Sequence, residues 1–246
     1  MGAIYKRVVL KISGELIHEN SKNLAISHEL LEALCKQIIA IYGLGVELSI
    51  VIGGGNIFRG HTYNGRNSGF MRTDADKMGM LATAINALAL RSTLENHGID
   101  TVIQSALAIE GIVDRFSIQD ADQALKLKKI VIFCCGTGNP FFSTDSAAAL
   151  RACELHADIL LKATTVDGVY DDDPHKNPNA KKFDCLSYGK VFEKNLGVMD
   201  LTAFVLCMEN NIPIRIFSGQ KEGEMVKAVR GQSPGTFIGN RENGNR

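Results

Sequence analysis

The sequence predicts a layered α/β domain on a mostly parallel sheet, and two observations predict it. Six short apolar runs rich in Val and Ile recur along the 246 residues: RVVLKI (7–12), VELSIVI (46–52), DTVIQS (100–105), KIVIFCC (129–135), DILLKA (158–163) and PIRIFS (213–218). They are continuous rather than alternating, as strands buried on both faces are. Helical patterns lie between them, and strand and helix alternating from end to end give this fold class.

In chain order, the first run enters the polar turn SGE. The first helix follows, with Leu31, Leu34, Ile38 and Ile41 spaced 3, 4 and 3. After the second run comes GGGNIFRG, then a second helix with the same spacing at Met78, Leu81, Ile85 and Leu88. Each set lays one apolar stripe along a helix. Residues 1–246 read as a single domain without repeat, low-complexity segment or linker, and the tail 239–246 reads as loose.

Composition excludes several function classes. Lys plus Arg (27) balance Asp plus Glu (27), so a nucleic-acid partner is not expected. The charged N-terminus leaves no signal-peptide core, and Lys6 stands where a myristoylation motif wants Ser or Thr. No apolar run approaches the roughly 20 residues that span a bilayer. The expectation is a cytoplasmic protein without a membrane partner. The six cysteines contain no C-x-x-C pair and the six histidines none at i, i+4, so no metal-ligating set and no disulfide framework is expected.

The strand ends carry the chemistry. VVLKI runs into SGE, LSIVI into GGGNIFRG, IVIFCC into GTGNP, ILLKA into TTVDG and IRIF into SG. In open α/β sheets ligands bind beyond the carboxyl ends of strands, where glycine lets backbone N–H groups approach a phosphate. Lys11 and Lys162 each end an apolar run, where an unpaired ammonium is costly to bury and an anionic partner removes the cost. Arg59, four residues beyond Gly53, Gly54 and Gly55, has the planar fork that suits a phosphate. Asp76 reads as an N-cap or first-turn acid of the second helix, with Asp74 as the alternative cap. Asp145 enters the first turn of a helix led by Thr144, and capping is open to it too.

Common phosphate motifs are absent. There is no G-x-x-x-x-G-K-[ST], GTGNPF has Phe where G-x-G-x-x-G wants its third glycine, and kinase signatures such as H-R-D and D-F-G are missing. Four ordered segments match something else: LKISGE (10–15), VIGGGNIFRG (51–60), GTGNPFFSTDSAA (136–148) and LLKATTVDGVYDDDP (160–174) resemble the amino-acid-kinase superfamily. The GTGNPFF loop, DKMGMLAT (76–83) and VMDLTAF (198–204) narrow the resemblance to the bacterial uridylate (UMP) kinase family, over roughly residues 5–238.

The resemblance implies a three-layer αβα sandwich around a twisted, mostly parallel sheet. The monophosphate side would lie mainly in the N-terminal part and the ATP side in the C-terminal part. It implies transfer of phosphate from Mg²⁺-ATP to UMP in pyrimidine biosynthesis, a homohexamer, and GTP or UTP as effectors. Lys11, Ile12, Ser13, Gly14, Gly55, Arg59, Thr164, Tyr170 and Asp173 then fall at the ATP site. Gly54, Asp76 (toward the ribose hydroxyls) and Thr137, Gly138, Asn139, Pro140, Phe141, Phe142, Ser143 and Thr144 fall at the UMP site. The Phe pair would wall a flat base, with at least one ring tucked into the core. Lys11, Arg59, Asp145, Lys162 and Asp200 would be catalytic, the two acids organising the lysines and phosphates.

One departure stands out. The segment after KISGE, LIHENSKNLAIS (16–27), has none of the glycine that relatives carry there in connection with GTP activation. The rivals are an acetylglutamate- or carbamate-like kinase, whose acceptors lack a base, and a nucleotide sensor or storage protein of the same fold.

Overall fold

The computed structural model describes residues 2–59, 69–172, 174, 176–194, 196–197 and 199–240. The six apolar runs are the strands β1 (Arg7–Ile12), β2 (Glu47–Ile52), β3 (Thr101–Ser105), β5 (Ile130–Cys134), β6 (Ile159–Thr164) and β10 (Ile214–Ser218). With the short strands β4 (Asp114–Arg115), β9 (Cys185–Leu186) and β11 (Thr236–Ile238) they form one nine-stranded sheet in the order β4-β3-β5-β2-β1-β6-β10-β11-β9. All neighbours are parallel except β10 and β11. A separate hairpin joins β7 (Val169–Tyr170) to β8 (Lys182–Phe183).

Helices cover both faces. On one lie α1 (His28–Tyr42), α2 (Arg72–Asn96) and α7 (Glu224–Val229), packed on Val8, Leu10, Ile12, Ile50 and Leu161. On the other lie α3 (Ile118–Lys126), α4 (Thr144–Glu154), α5 (Tyr188–Glu193) and α6 (Leu201–Glu209), packed on Val9, Val51, Leu160 and Ile214. This is the three-layer sandwich. Because side chains alternate along a strand, Lys11 follows Val9 and Lys162 follows Leu160 onto the α3–α6 face. β1 is central, so the lysine at its end is not on an edge strand.

The first helix forms as its stripe predicts: Ser27 caps it through Leu30 N–H, and Leu31, Leu34, Cys35, Ile38 and Ile41 are buried. The second helix differs in two ways. It begins at Arg72 behind Met71, which offers no capping side chain, so neither Asp74 nor Asp76 is its cap. Most of its predicted stripe also points outward: Met78, Leu81 and Ile85 are 38, 49 and 50 % exposed, and Leu88 alone of the four packs against the core. The buried side is instead Ala75, Met80, Ala82, Thr83, Ala84, Asn86, Ala87, Leu90 and Leu94. Small residues are needed there because α2 lies against the glycine turn after β2. A Cβ on Gly54 would stand 2.8 Å from Gly79 O and 2.9 Å from Ala82 Cβ.

At the C-terminus, Gly239 N–H bonds Leu186 O at 3.1 Å and Asn240 Nδ2 bonds Asn211 Oδ1 at 2.6 Å, so the start of the predicted loose tail is held to the body. The rest of that tail, and Asp173, lie outside the described residues. Among the described residues no helix is long and apolar enough to cross a membrane.

Candidate active site

The parallel strands end at one rim, and the turns beyond them are tied together. Gly53 N–H bonds Ile12 O (2.9 Å), Ser13 N–H bonds Ala163 O (3.2 Å) and Gly219 N–H bonds Thr164 O (2.8 Å). The glycine turn is held against α2 by a reciprocal amide pair. Asn86 Nδ2 donates to Asn56 Oδ1 (2.7 Å) and Gly53 O (2.7 Å), and Asn56 Nδ2 donates back to Asn86 Oδ1 (3.1 Å). Gly14 closes on the same pair, since a Cβ there would stand 2.2 Å from Asn56 Oδ1.

Lys11 and Lys162 are register partners on β1 and β6. Two ammoniums on neighbouring parallel strands, about 4.8 Å apart, repel unless an anion separates them. Asp145, from the first turn of α4, supplies it. Its Oδ2 lies 2.6 Å from Lys162 Nζ and its Oδ1 2.8 Å from Lys11 Nζ. All three side chains are nearly hidden, at 12, 13 and 10 % exposure for Lys11, Asp145 and Lys162. Burial pushes the Asp145 carboxyl up, but Lys11 and Lys162 together outweigh it and hold it below the usual carboxylate range. Burial dominates at Lys162, whose pKa falls below its ordinary value despite the pull of Asp145.

The loop before α4 ends in a cap made by Ser143, whose Oγ accepts from Asp145 N–H (3.0 Å) and Ser146 N–H (3.2 Å). Capping therefore falls to Ser143, and Asp145 is left to the lysines. Asp200 caps α6 through Ala203 N–H (2.8 Å) and accepts from Ser146 Oγ (2.9 and 3.0 Å) and Ser143 Oγ. It thus couples the starts of α4 and α6, and its charge, with that of Asp145, pulls the Lys162 pKa upward against burial.

Two clefts of about 450 Å³ each open at this rim. The first is lined by Ser13, Gly14, Gly53, Gly54, Gly55, Arg59, Arg72, Asp76, Phe141, Phe142, Ser143, Thr144 and Asp200. The second is lined by Lys162, Thr164, Tyr170, Asp171, Asp172 and Pro174. Lys162 lines one cleft, while its partner Asp145 sits between Thr144 and Ser146, which line the other. Lys162 is thus ion-paired to a residue flanked by the lining of the other cleft, and the same carboxylate holds Lys11. Ile12 is fully buried in the core, backbone included, and its carbonyl accepts the Gly53 N–H, so it holds the turn rather than facing the cleft as the resemblance implied.

Neither phenylalanine of the loop is a core residue, since Phe141 is 68 % and Phe142 48 % exposed. The loop turns outward at Gly136, Gly138 and Phe141, all at positive φ. Thr137 and Asn139 bond each other within it (3.2–3.4 Å), and Phe141 N–H donates to Asp76 Oδ2 at 2.8 Å. At the first cleft's mouth Arg59 pairs with Glu15 and bonds Gly55 O at 3.1 Å. In the second, Tyr170 O–H donates to Asp167 at 2.6 Å, and Lys182 and Lys221 stand 3.3 and 3.4 Å from the same carboxylate. Donation from Tyr170, opposed by burial and helped by both lysines, holds Asp167 down to about 2. Asp171 and Asp172 are exposed turn residues.

Sequence reasoning missed Arg72, Asn56, Asn86, Ser146 and Asp167. Asn56, Ser146 and Asp167 lie inside quoted motifs without having been singled out, Arg72 and Asn86 lie outside them, and each acts by holding another residue. Among the described residues, no three His, Cys, Asp or Glu side chains gather as a metal site.

Comparison with known proteins agrees with this fold. Residues 6–218 match the amino acid kinase family. The uridylate kinase of Magnetococcus marinus is 50 % identical over 237 residues, covering 96 % of this chain and 97 % of that protein. Among solved structures, the UMP kinase of Bacillus anthracis superposes with a TM-score of 0.91 at 36 % identity, covering 96 % of each chain. The UMP kinase of Ureaplasma parvum gives 0.89 at 37 % identity over 96 % of this chain and 99 % of that one. The chain therefore belongs to the amino acid kinase family, and within it to the uridylate kinases.

Proposed function

We propose that the protein transfers the γ-phosphoryl group of ATP to the phosphate of UMP, releasing UDP and ADP. The observation that carries this reading is the pair of clefts at one rim, with Lys162 in the lining of the second ion-paired to Asp145, which stands between two residues that line the first. UMP occupies the first cleft, with its base against the exposed Phe141–Phe142 wall and its ribose hydroxyls on Asp76. ATP lies along the second, with its base beside Tyr170 and its phosphates reaching Ser13, Gly14, Gly55 and Arg59. Thr164 and Asp173 complete the ATP side.

Phosphoryl transfer asks for alignment and for cancellation of charge on the moving group. Lys11 and Lys162 supply fixed positive charge where the phosphates meet, and Asp145 keeps the two ammoniums side by side until the phosphates arrive. The amides of the glycine turns and the start of α4 offer donors that need no reorganisation. The donor enters as its Mg²⁺ complex, the cation being carried chiefly by the phosphates and water.

The assembly in this reading is a homohexamer in the cytoplasm. The outward apolar face of α2, with Met78, Leu81 and Ile85, is the surface on this chain that supports self-association. An ADP-release assay with UMP, CMP and N-acetylglutamate, with and without Mg²⁺, tests the activity. UMP should be turned over fastest and only with Mg²⁺. Turnover of N-acetylglutamate instead, or binding of UMP and ATP without ADP release, would overturn it.

A further inference from the structure

Arg72 opens α2 and sits in the first cleft, four residues before Asp76. An exposed i, i+4 pair is ordinarily worth a few tenths of a kcal/mol. This one is built differently. Arg72 Nε lies 2.8 Å from both oxygens of Asp76, whose side chain is only 11 % exposed. Asp76 Oδ2 also accepts the Phe141 N–H, 65 residues away, at 2.8 Å. The Arg72 guanidinium also stands 5.6 Å from the centre of the Phe141 ring, a cation–π distance. Phe141 holds φ +73, uncommon for a side chain of its size. One arginine thus fixes the plane of a carboxylate and rests on the ring beside it.

We propose that Arg72 is a positioning residue that orients Asp76 toward two neighbouring hydroxyls of the acceptor, and so sets a preference for ribo- over deoxyribonucleotides. The inference rests on the UMP reading above. A carboxylate has about four acceptor sites, and Arg72 and Phe141 occupy part of them, leaving the rest to a ligand in the cleft that Asp76 lines. Its plane cannot rotate to follow a poorer ligand. A ribose offers it two O–H donors; a 2′-deoxyribose offers one and leaves an oxygen of a nearly buried carboxylate unmatched. Loss of a hydrogen bond to a charged group corresponds to roughly ten- to a hundredfold in kcat/KM. Without Arg72 the carboxylate turns freely and that penalty shrinks.

The test compares wild type, Arg72→Gln and Arg72→Lys, with thermal melts confirming that each is folded. KM and kcat are measured for UMP, dUMP and ATP. Arg72→Gln should raise the KM for UMP by roughly tenfold or more, the worth of one charged hydrogen bond, with kcat falling less and the KM for ATP unmoved. The UMP-to-dUMP ratio of kcat/KM should drop toward one, and Arg72→Lys should restore part of it. A merely structural arginine would weaken UMP and dUMP equally and leave the ratio alone, which overturns the proposal. So would a wild-type enzyme that uses both equally well. A wild type inactive on UMP would overturn the functional reading itself.

Discussion

Lys11 and Lys162 stand in register on adjacent parallel strands, and the carboxylate of Asp145 lies within 2.8 Å of both ammoniums. The arrangement is a nearly buried charged trio at the rim where two clefts open, with Lys162 in the lining of one. Its first consequence concerns Asp145→Asn, which strands two nearly buried cations. Breaking such a group costs roughly 3–5 kcal/mol, so the urea midpoint should fall markedly. Turnover should drop about 100–1000-fold, as on loss of one preorganised charged group. Equal stability of the two proteins would show that the trio is not coupled.

The same carboxylate makes stability depend on pH in a defined direction. The folded pKa of Asp145 lies below its ordinary 3.8. Its stabilisation is therefore complete above about pH 4 and is lost as pH falls through the folded value. Asp167, held to about 2, behaves alike between about pH 4 and 2. Urea denaturation of wild type and Asp145→Asn should differ by a constant amount from pH 5 to 7, and the gap should close below about pH 4. A gap that widened on acidification would reverse the sign and refute the assignment.

Ser143 holds the start of α4 and donates to Asp200. Removing such a cap costs about 1 kcal/mol, so Ser143→Ala should melt about 2–4 °C lower, the shift expected for a domain of this size. Ser143→Asp, which retains a capping oxygen but faces Asp200, should not recover full activity.

The outward face of α2 predicts assembly. Wild type should sediment as an oligomer, and Leu81→Glu with Ile85→Lys should sediment as smaller species with unchanged far-UV circular dichroism. A wild-type monomer, or a double variant of unaltered mass, would leave that face without the proposed role.

The buried strands were legible because a strand covered on both faces is apolar throughout. All six runs became strands with ends moved by at most one residue. β4, β7, β8 and β9 have two residues each and β11 three, too few to carry a period. On α2 a 3-4-3 spacing shows that Met78, Leu81 and Ile85 share a face, not what covers it. The true inner face is alanine-rich, and alanine gives a weak hydropathy signal. The start of α2 was misread because Met71 carries no capping oxygen, so nearby Asp74 and Asp76 were the only signals there. Lys11 and Lys162 announced themselves as cations ending apolar runs. Their partner Asp145 did not, because a first-turn acid reads equally well as a cap. Arg72 was invisible for the related reason that its partners, Asp76 and Phe141, meet only once the loop after β5 folds back over α2.

The most direct measurement of the central claim is the turnover number of Lys11→Ala at saturating ATP and UMP beside wild type. The charged trio predicts a fall of roughly 100–1000-fold in a protein that still melts cooperatively and still binds UMP. Turnover within a few fold of wild type in that folded variant would contradict it.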